Sequence, residues 1–513
     1  MKLPKLPQWY SFYGITLACS FGFALFGIDT GLMSGVLANQ QFKEQFDYPN
    51  DTIVGQITSS FDLGCFITAV AASIINNRWS RKSTVIIGCV IHIIGGIIQT
   101  ASYGVPEFIV GRIIAGLGNG FITVAIPVWQ SECTPAHVRG RMLGFLCLLN
   151  SLGGVLICWV NYGMKFVDSG VAWRFPVATQ LLFSGATLIM APFLGESPRW
   201  LLIKGRDEEA RTVLAGLNNA DPESDEIQAL FTEIKYHVDH EEELAQSAKL
   251  KDLFNGKDRM KNLRRILLGA SSQFMQQWGG INVILYYATV IYEDSLGFSN
   301  NMAYILTACN QMNYSLFLFI AAAFLVERVG RKPLMFWGLV VQGICFAVVA
   351  GSLSSGSKNA GIVAISFMFL YYSTFGTTWS LSPWLYPTEI NSLQYRNTGA
   401  AIATATNWIC NYIVVLITPS GIANIQWRYY LIYMVMNFAG AIGIYMYYEE
   451  TAGLTLEEVD EFFEYGMRKR SFKEVIPGNF RKRKLVRDPA VPAHDKPEDE
   501  FVEDVKVEHI NKV

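Results

Sequence analysis

Apolar residues in this chain neither alternate nor keep to one helical face. They run on for twenty residues and more, and short polar clusters separate the runs. A bilayer core takes about 20 mostly apolar residues per helix. On that measure twelve spans stand near residues 11–37, 54–75, 83–101, 106–130, 140–164, 175–195, 263–293, 302–326, 333–353, 360–386, 398–419 and 426–448. The pattern predicts an all-α membrane protein. Its parts are an N-terminal six-helix bundle (1–195), linker helices (196–262), a C-terminal six-helix bundle (263–448) and a mostly disordered tail (449–513). Within the linker, Arg206-Asp207-Glu208-Glu209-Ala210 and residues 223–244 read as amphipathic surface helices.

Two elements occur twice. Ile126-Pro127-Val128-Trp129-Gln130-Ser131-Glu132 is followed seven residues later by Arg139, and Trp384-Leu385-Tyr386-Pro387-Thr388-Glu389 is followed at the same distance by Arg396. Asn77-Arg78-Trp79-Ser80-Arg81-Lys82 returns as Glu327-Arg328-Val329-Gly330-Arg331-Lys332 at almost the same offset. Repetition in one orientation implies two homologous membrane halves, the plan of a carrier.

Composition narrows the class further. The charged fraction is 16%, against about 25% in soluble domains. Net charge is −2 and no basic stripe with interleaved aromatics occurs, which argues against nucleic acid as a partner. The nine cysteines fall mostly inside apolar runs, with no Cys-x-x-Cys pair or Cys/His ligand spacing. No metal or cofactor is expected, nor covalent chemistry; the chain reads as no enzyme. Lys2 and Lys5 precede an apolar run too long for a cleavable signal, so the first span is expected to stay as an anchor.

Orientation follows from the basic residues. Arg78, Arg81 and Lys82, then Arg139 and Arg141, then Arg199, Lys204 and Arg206, then Arg328, Arg331 and Lys332 occupy alternate loops. The positive-inside rule places these loops and both termini in the cytoplasm, with the plasma membrane as the expected location. Loop 38–53 is then external, and Asn50-Asp51-Thr52 in it fits a glycosylation acceptor pattern.

Three ionisable residues lie inside apolar spans: Asp29 in the first, Asp62 in the second and Arg112 in the fourth. Asp29 and Asp62 sit about 12 Å below the outer ends of their helices and Arg112 about 9 Å, so all three share a layer. Lone charges at such depth cost several kcal/mol and seek partners. Asp29 and Arg112 are expected to neutralise each other, and Asp29 to take and release the transported proton with the help of Arg112, in a proton-coupling site that includes Asp62. A static ion pair, and for Asp62 a solvated place in the outer vestibule, are the plainer readings.

The seventh span carries Gln273, Gln276, Gln277 and Asn282 around Gly279 and Gly280. Residues 273, 276, 277 and 280 share one helical face, and paired glycines invite a break that is tolerated only beside a cavity. Amides donate and accept at once, which suits a neutral hydroxylated solute. Asn407 and Trp408 in the eleventh span and Trp384 in the tenth add amide and indole groups; interhelical glue is the alternative for any single amide. At the cytoplasmic helix ends, Glu132 with Arg139 and Glu389 with Arg396 lie near Arg78, Arg81, Glu327, Arg328 and Arg331. Together they are expected to form gating networks across helices.

These residues carry a resemblance. Over nearly all of 10–465 the chain resembles the sugar porter family of the major facilitator superfamily. The matching strings are Phe26-Gly27-Ile28-Asp29-Thr30-Gly31, Gly111-Arg112-Ile113-Ile114-Ala115-Gly116, Pro127 to Glu132, Glu196-Ser197-Pro198-Arg199-Trp200-Leu201, Gln276-Gln277 with Asn282, Glu327 to Lys332, and Glu450-Thr451-Ala452-Gly453. The resemblance implies two bundles with a central sugar site worked by alternating access. It implies a site lined by Gln276, Gln277, Asn282, Trp384, Asn407 and Trp408. Proton-coupled members hold an aspartate at the place of Asp29. Asp62-Leu63-Gly64-Cys65 and Asn407-Trp408-Ile409-Cys410-Asn411 are similar to a fungal branch with glycerol–proton and sugar–proton symporters. The fifth span lacks the glutamine that many members use for sugar.

The expected function is proton-coupled uptake of a monosaccharide, hexose or pentose, by a monomeric carrier whose partners are the solute, the proton and the lipid bilayer. Glycerol or polyol symport, facilitative sugar transport and non-transporting sugar sensing stay open beside it.

Overall fold

The computed structural model describes residues 12–75, 78–134, 139–247, 253, 260–355, 357–454, 458–460, 463 and 475. Eleven helices among them are long and apolar enough to cross a membrane. They include α1 (Gly14–Ala38), α2 (Asp51–Ile75), α3 (Arg81–Ala101), α4 (Val105–Glu132), α5 (Arg139–Met164) and α6 (Val171–Met190). After the linker come α7a (Asn262–Trp278) and α7b (Ile281–Val290), then α8 (Asn300–Ile320) and α9 (Arg331–Ser355). The chain ends its membrane part with α10a (Lys358–Thr378), α10b (Ser382–Ile390), α11 (Arg396–Ile425) and α12 (Arg428–Tyr447). The seventh span is the twelfth crossing. Neither of its two pieces is long enough alone, because the helix breaks at the glycine pair.

The burial pattern is that of a membrane protein. Outward-facing side chains include Leu182, Ile189, Leu316, Ile362 and Ile442, whereas Gln273, Asn310, Gln342 and Asn437 are buried. Water would reverse that arrangement, so the surrounding solvent is lipid. Serines start the helices that leave polar turns: Ser80 accepts from Ser83 N, Ser299 from Met302 N and Ser357 from Ala360 N. Asn50 Oδ1 likewise accepts from Ile53 N at 2.9 Å, so the glycosylation-pattern asparagine serves as a helix cap.

Small residues decide which helices touch. A Cβ added to Gly116 on α4 would stand 2.1 Å from the Phe61 carbonyl of α2, and one on Gly64 would stand 2.3 Å from Ile113 O. Only glycine permits that approach. It brings Asp62 and Arg112 into the same layer. In the first bundle α1 packs on α5, α2 on α4, and α3 on α4 and α6; in the second α9 packs on α12 and α10a, and α7a on α11. The bundles meet through α2 with α11, α5 with α8, and α1 with α7b.

The linker forms helices Pro198–Ile203, Asp207–Asn218 and Asp225–Ser247, folded over a small core of Leu201, Ala210, Leu214, Ile227 and Phe231. The last two helices match the amphipathic segments read from the sequence; the first, capped by Ser197, is an addition.

Candidate functional site

The break in the seventh span is held open from three sides. Gly280 has φ +95°, a left-handed conformation that side chains resist, and a Cβ there would stand 2.6 Å from the Phe346 ring. The freed Gly279 carbonyl accepts from Tyr371 Oη at 2.8 Å and from Asn437 Nδ2 at 3.0 Å. Those bonds replace the helical partner that the break removes.

Around the break the amide side chains form one continuous chain. Asn407 Nδ2 donates to Gln273 Oε1 at 2.7 Å and to Gln276 Oε1 at 3.0 Å. Gln277 Nε2 reaches Gln276 Oε1 at 3.5 Å, and Asn282 Nδ2 donates to Gln277 Oε1 and, at 2.6 Å, to Asn411 Oδ1. Asn411 Nδ2 then donates to Asp62 Oδ1 at 2.9 Å. Gln276 Nε2 also donates to Trp379 O, and Gln273 Nε2 to Pro383 O, both at 2.8 Å. These two bonds tie α7a to the second break, between α10a and α10b. Such a chain can re-pair with hydroxyl groups, because each amide offers a donor and an acceptor.

The charged layer sits at the end of this chain. Arg112 Nη1 donates to Asp29 Oδ1 at 2.9 Å and Nη2 to Asp29 Oδ2 at 3.4 Å; the side chains are 0% and 2% exposed. Arg112 Nη2 also donates to Thr58 O at 3.0 Å, and its guanidinium lies 5.1 Å from the Phe61 ring centre. The expected Asp29–Arg112 pair is therefore formed. Asp62 is 0% exposed and receives Tyr286 Oη at 3.4 Å besides Asn411. Glycine-driven packing of α2 on α4 and α11 buries it, in place of the exposed position in the vestibule.

The two tryptophans part company. Trp408 is fully buried, edge-on to Phe26 at 5.2 Å, and its Nε1 has no partner within the protein. Trp384 is half-buried on α10b and stands outside the amide chain. Trp379 takes its place there through its backbone carbonyl. Tyr286 and Asn411 are the functional candidates that the sequence reading passed over. The signal for Asn411 was present: it lies one turn from Asn407 and shares its face.

At the end bearing the basic loops, each half builds the same cluster. In the first, Arg81 donates from Nε and Nη2 to Glu132, both at 3.2 Å, and Ser197 Oγ donates to the same carboxylate at 2.5 Å. In the second, Arg331 Nη2 and Nε donate to Glu389 at 2.8 and 3.2 Å, joined by Thr451 Oγ1 at 2.6 Å. Glu196 accepts from Lys82 N as Glu450 accepts from Lys332 N. The duplicated glutamates are thus gripped by Arg81 and Arg331. Arg396 is half-buried at the first residue of α11, and Arg78 and Arg328 are exposed. The side chains of Arg139 and Glu327 lie outside the described residues.

At the opposite end the halves are hydrogen-bonded to each other. Ser34 Oγ and Thr289 Oγ1 stand 3.0 Å apart, Tyr304 Oη donates to Gly35 O at 2.7 Å, and Lys165 Nζ to Asn301 Oδ1 at 3.2 Å.

Two six-helix bundles enclosing a polar layer, with broken helices at its centre, define a membrane carrier of the major facilitator class. The chain belongs to the Sugar (and other) transporter family, whose profile matches residues 15–463. It is similar to MFS-type transporter oryC of Aspergillus oryzae, with 41% identity over 89% of this chain and 86% of that one. It shares 35% identity with Sugar transporter STL1 of Saccharomyces cerevisiae, over 88% of this chain and 81% of the relative. Among solved structures, the proton:xylose symporter XylE of E. coli, bound to 6-bromo-6-deoxy-D-glucose, superposes with TM-score 0.73 at 27% identity, covering 89% of this chain and 100% of XylE. The chain is a multi-pass transporter and not an enzyme.

Proposed function

We propose that this carrier takes up a small neutral monosaccharide, hexose or pentose, together with a proton, by alternating access across the plasma membrane. The basic end and both termini face the cytoplasm. The observation that carries the reading is the continuity of the amide chain with a dry charged layer: Gln276, Gln277, Asn282 and Asn407 lead through Asn411 to Asp62, beside Asp29 and Arg112. The amides, with the unpartnered Trp408 Nε1, recognise hydroxyl groups, and the Trp408 indole packs against the C–H face of a ring. The charged layer couples this binding to a proton. The clusters around Glu132 and Glu389 act as gates at the cytoplasmic end, while Ser34–Thr289 and Tyr304–Gly35 hold the external end shut in this conformation. Similarity to XylE, a proton:xylose symporter, and to STL1, a sugar transporter, supports the cargo and the coupling.

A glycerol or polyol cargo is the second reading, favoured by the absence of any glutamine from α5. The test is uptake of labelled glucose, xylose, arabinose and glycerol in carrier-deficient yeast with external pH recorded. Uptake of a sugar with alkalinisation supports the reading, and uptake of glycerol alone moves it to the second. Uptake without alkalinisation makes the protein a facilitator; no uptake at all leaves a sensor.

A further inference from the structure

Asp62 is the buried ionisable group that the ion pair leaves over. Arg112 commits both Nη atoms elsewhere, to Asp29 and to the Thr58 carbonyl. What reaches Asp62 is neutral. Asn411 Nδ2 and Tyr286 Oη both donate to Oδ1, at 2.9 and 3.4 Å, and Oδ2 receives no donor. The charged and titratable groups facing Asp62 are Asp29 from α1, Arg112 from α4, Tyr286 from α7b and Cys65 from α2 itself; α11 brings only the neutral Asn411.

The charges in this layer do not balance. Two carboxylates meet one guanidinium, which leaves one negative charge with no cation. A buried carboxylate in that position takes up a proton, since carrying its charge into a dry site costs far more. Of the two, Asp29 holds the two-pronged guanidinium bond that rewards an anion most, whereas Asp62 meets amide and phenol donors that serve a neutral acid as well.

We propose that Asp62 carries the transported proton, while the Asp29–Arg112 pair stays ionised beside it as a fixed electrostatic partner. The inference rests on the symport reading above and names its proton site. In the step, the Asp62 carboxylate takes a proton from water on one face of the membrane and returns it to water on the other. One O–H bond forms and breaks, and nothing is oxidised or reduced. Coupling to solute follows from the shared neighbour. Asn411 donates to Asp62 and accepts from Asn282, so the proton lies two hydrogen bonds from the amides at the helix break. Loss of the proton turns the Asn411 and Tyr286 bonds into charge-assisted ones, which pulls the amide chain toward α2.

The test is infrared difference spectroscopy of the purified full-length carrier in vesicles without solute, reading the carbonyl stretch of a protonated carboxyl group. D62E and D29E keep the charge count and change only the acid that each carries. The inference expects the band to shift in D62E and to stay put in D29E. Y286F removes one donor to Asp62 without touching Asp29, and it should raise the band's frequency, which covers the case in which D62E fails to fold. A band that shifts in D29E and not in D62E or Y286F would overturn the assignment, as would the lack of any such band in the wild type. Failure of symport itself is read separately: wild-type vesicles that take up solute with no proton influx refute that reading whatever the band does.

Discussion

Asn411 Nδ2 stands 2.9 Å from Asp62 Oδ1, so a helix of the second bundle holds a carboxylate of the first. That bond joins three things: the seam between α2 and α11, the amides at the α7 break, and the layer that contains Asp29 and Arg112. A carrier that alternates must loosen one such seam as it tightens another. Occupancy of a single layer can therefore bias the whole movement.

Asp29→Asn removes the carboxylate that holds Arg112, and Arg112 then neutralises Asp62 directly. No uncompensated charge remains to demand a proton. The expected result is loss of concentrative uptake, with the internal-to-external ratio of solute falling to one. Labelled uptake at steady state measures it, and accumulation in the mutant would sink the proton role of this layer.

Gln276→Ala takes from Trp379 O its amide donor and from Asn407 Nδ2 one of its two acceptors, and it removes an amide from the proposed solute site. Orphaned buried polar groups cost about 1–3 kcal/mol. A rise in KM of roughly tenfold corresponds to 1.4 kcal/mol and is the expected size. Initial rates over a range of solute concentrations check it. An unchanged KM would remove Gln276 from the binding surface.

The closure at the end opposite the basic loops is testable by a cross-link. Ser34 and Thr289 present their oxygens 3.0 Å apart across the bundles. Cysteines at both positions should form a disulfide on oxidation, stop transport and release it on reduction. The native cysteines described here are unpaired and buried or half-buried, so they compete little. Full transport by the oxidised double mutant would show that this end need not open.

The paired clusters at the basic end are not equal. Arg331 is less exposed than Arg81, 6% against 14%, and a hydrogen bond between charged groups strengthens as it is buried. Arg331→Ala should therefore lower the Tm of the purified carrier more than Arg81→Ala does. Equal losses in thermal unfolding would contradict the structural ranking.

Gly280→Ala forces a side chain into φ +95° and against Phe346. The left-handed conformation alone costs roughly 1–2 kcal/mol for an L-residue. Transport should fall sharply while the protein still reaches the membrane, as surface labelling against uptake would show; normal transport would mean that the break tolerates reshaping.

The spans were legible because lipid imposes one rule on every crossing, and runs of twenty apolar residues betray it. The break at Gly279 and Gly280 was legible for the same reason: glycine pairs amid amides are costly in lipid unless a polar interior receives them. The meeting of Asp29 with Arg112 could be read from depth alone, since a lone charge in either span would be untenable. Depth did not reveal the partners of Asp62. Those depend on α2 lying against α11, a contact fixed by glycines such as Gly55, where a Cβ would stand 2.3 Å from Leu416 O. The repeated Glu132 and Glu389 were conspicuous as members of networks that include Arg81 and Arg331, but spacing along the chain does not say which arginine meets which glutamate. Folding sets that, bringing Arg81 onto Glu132 and Arg331 onto Glu389.

The most direct test of the account is simultaneous measurement of solute and proton flux in vesicles that contain only this protein. With an inward proton gradient imposed, the account predicts solute accumulation above the external level, matched by proton influx and abolished by an uncoupler. Equilibration of solute that ignores both the gradient and the uncoupler would contradict it, and would leave Asp29, Arg112 and Asp62 as a structural brace.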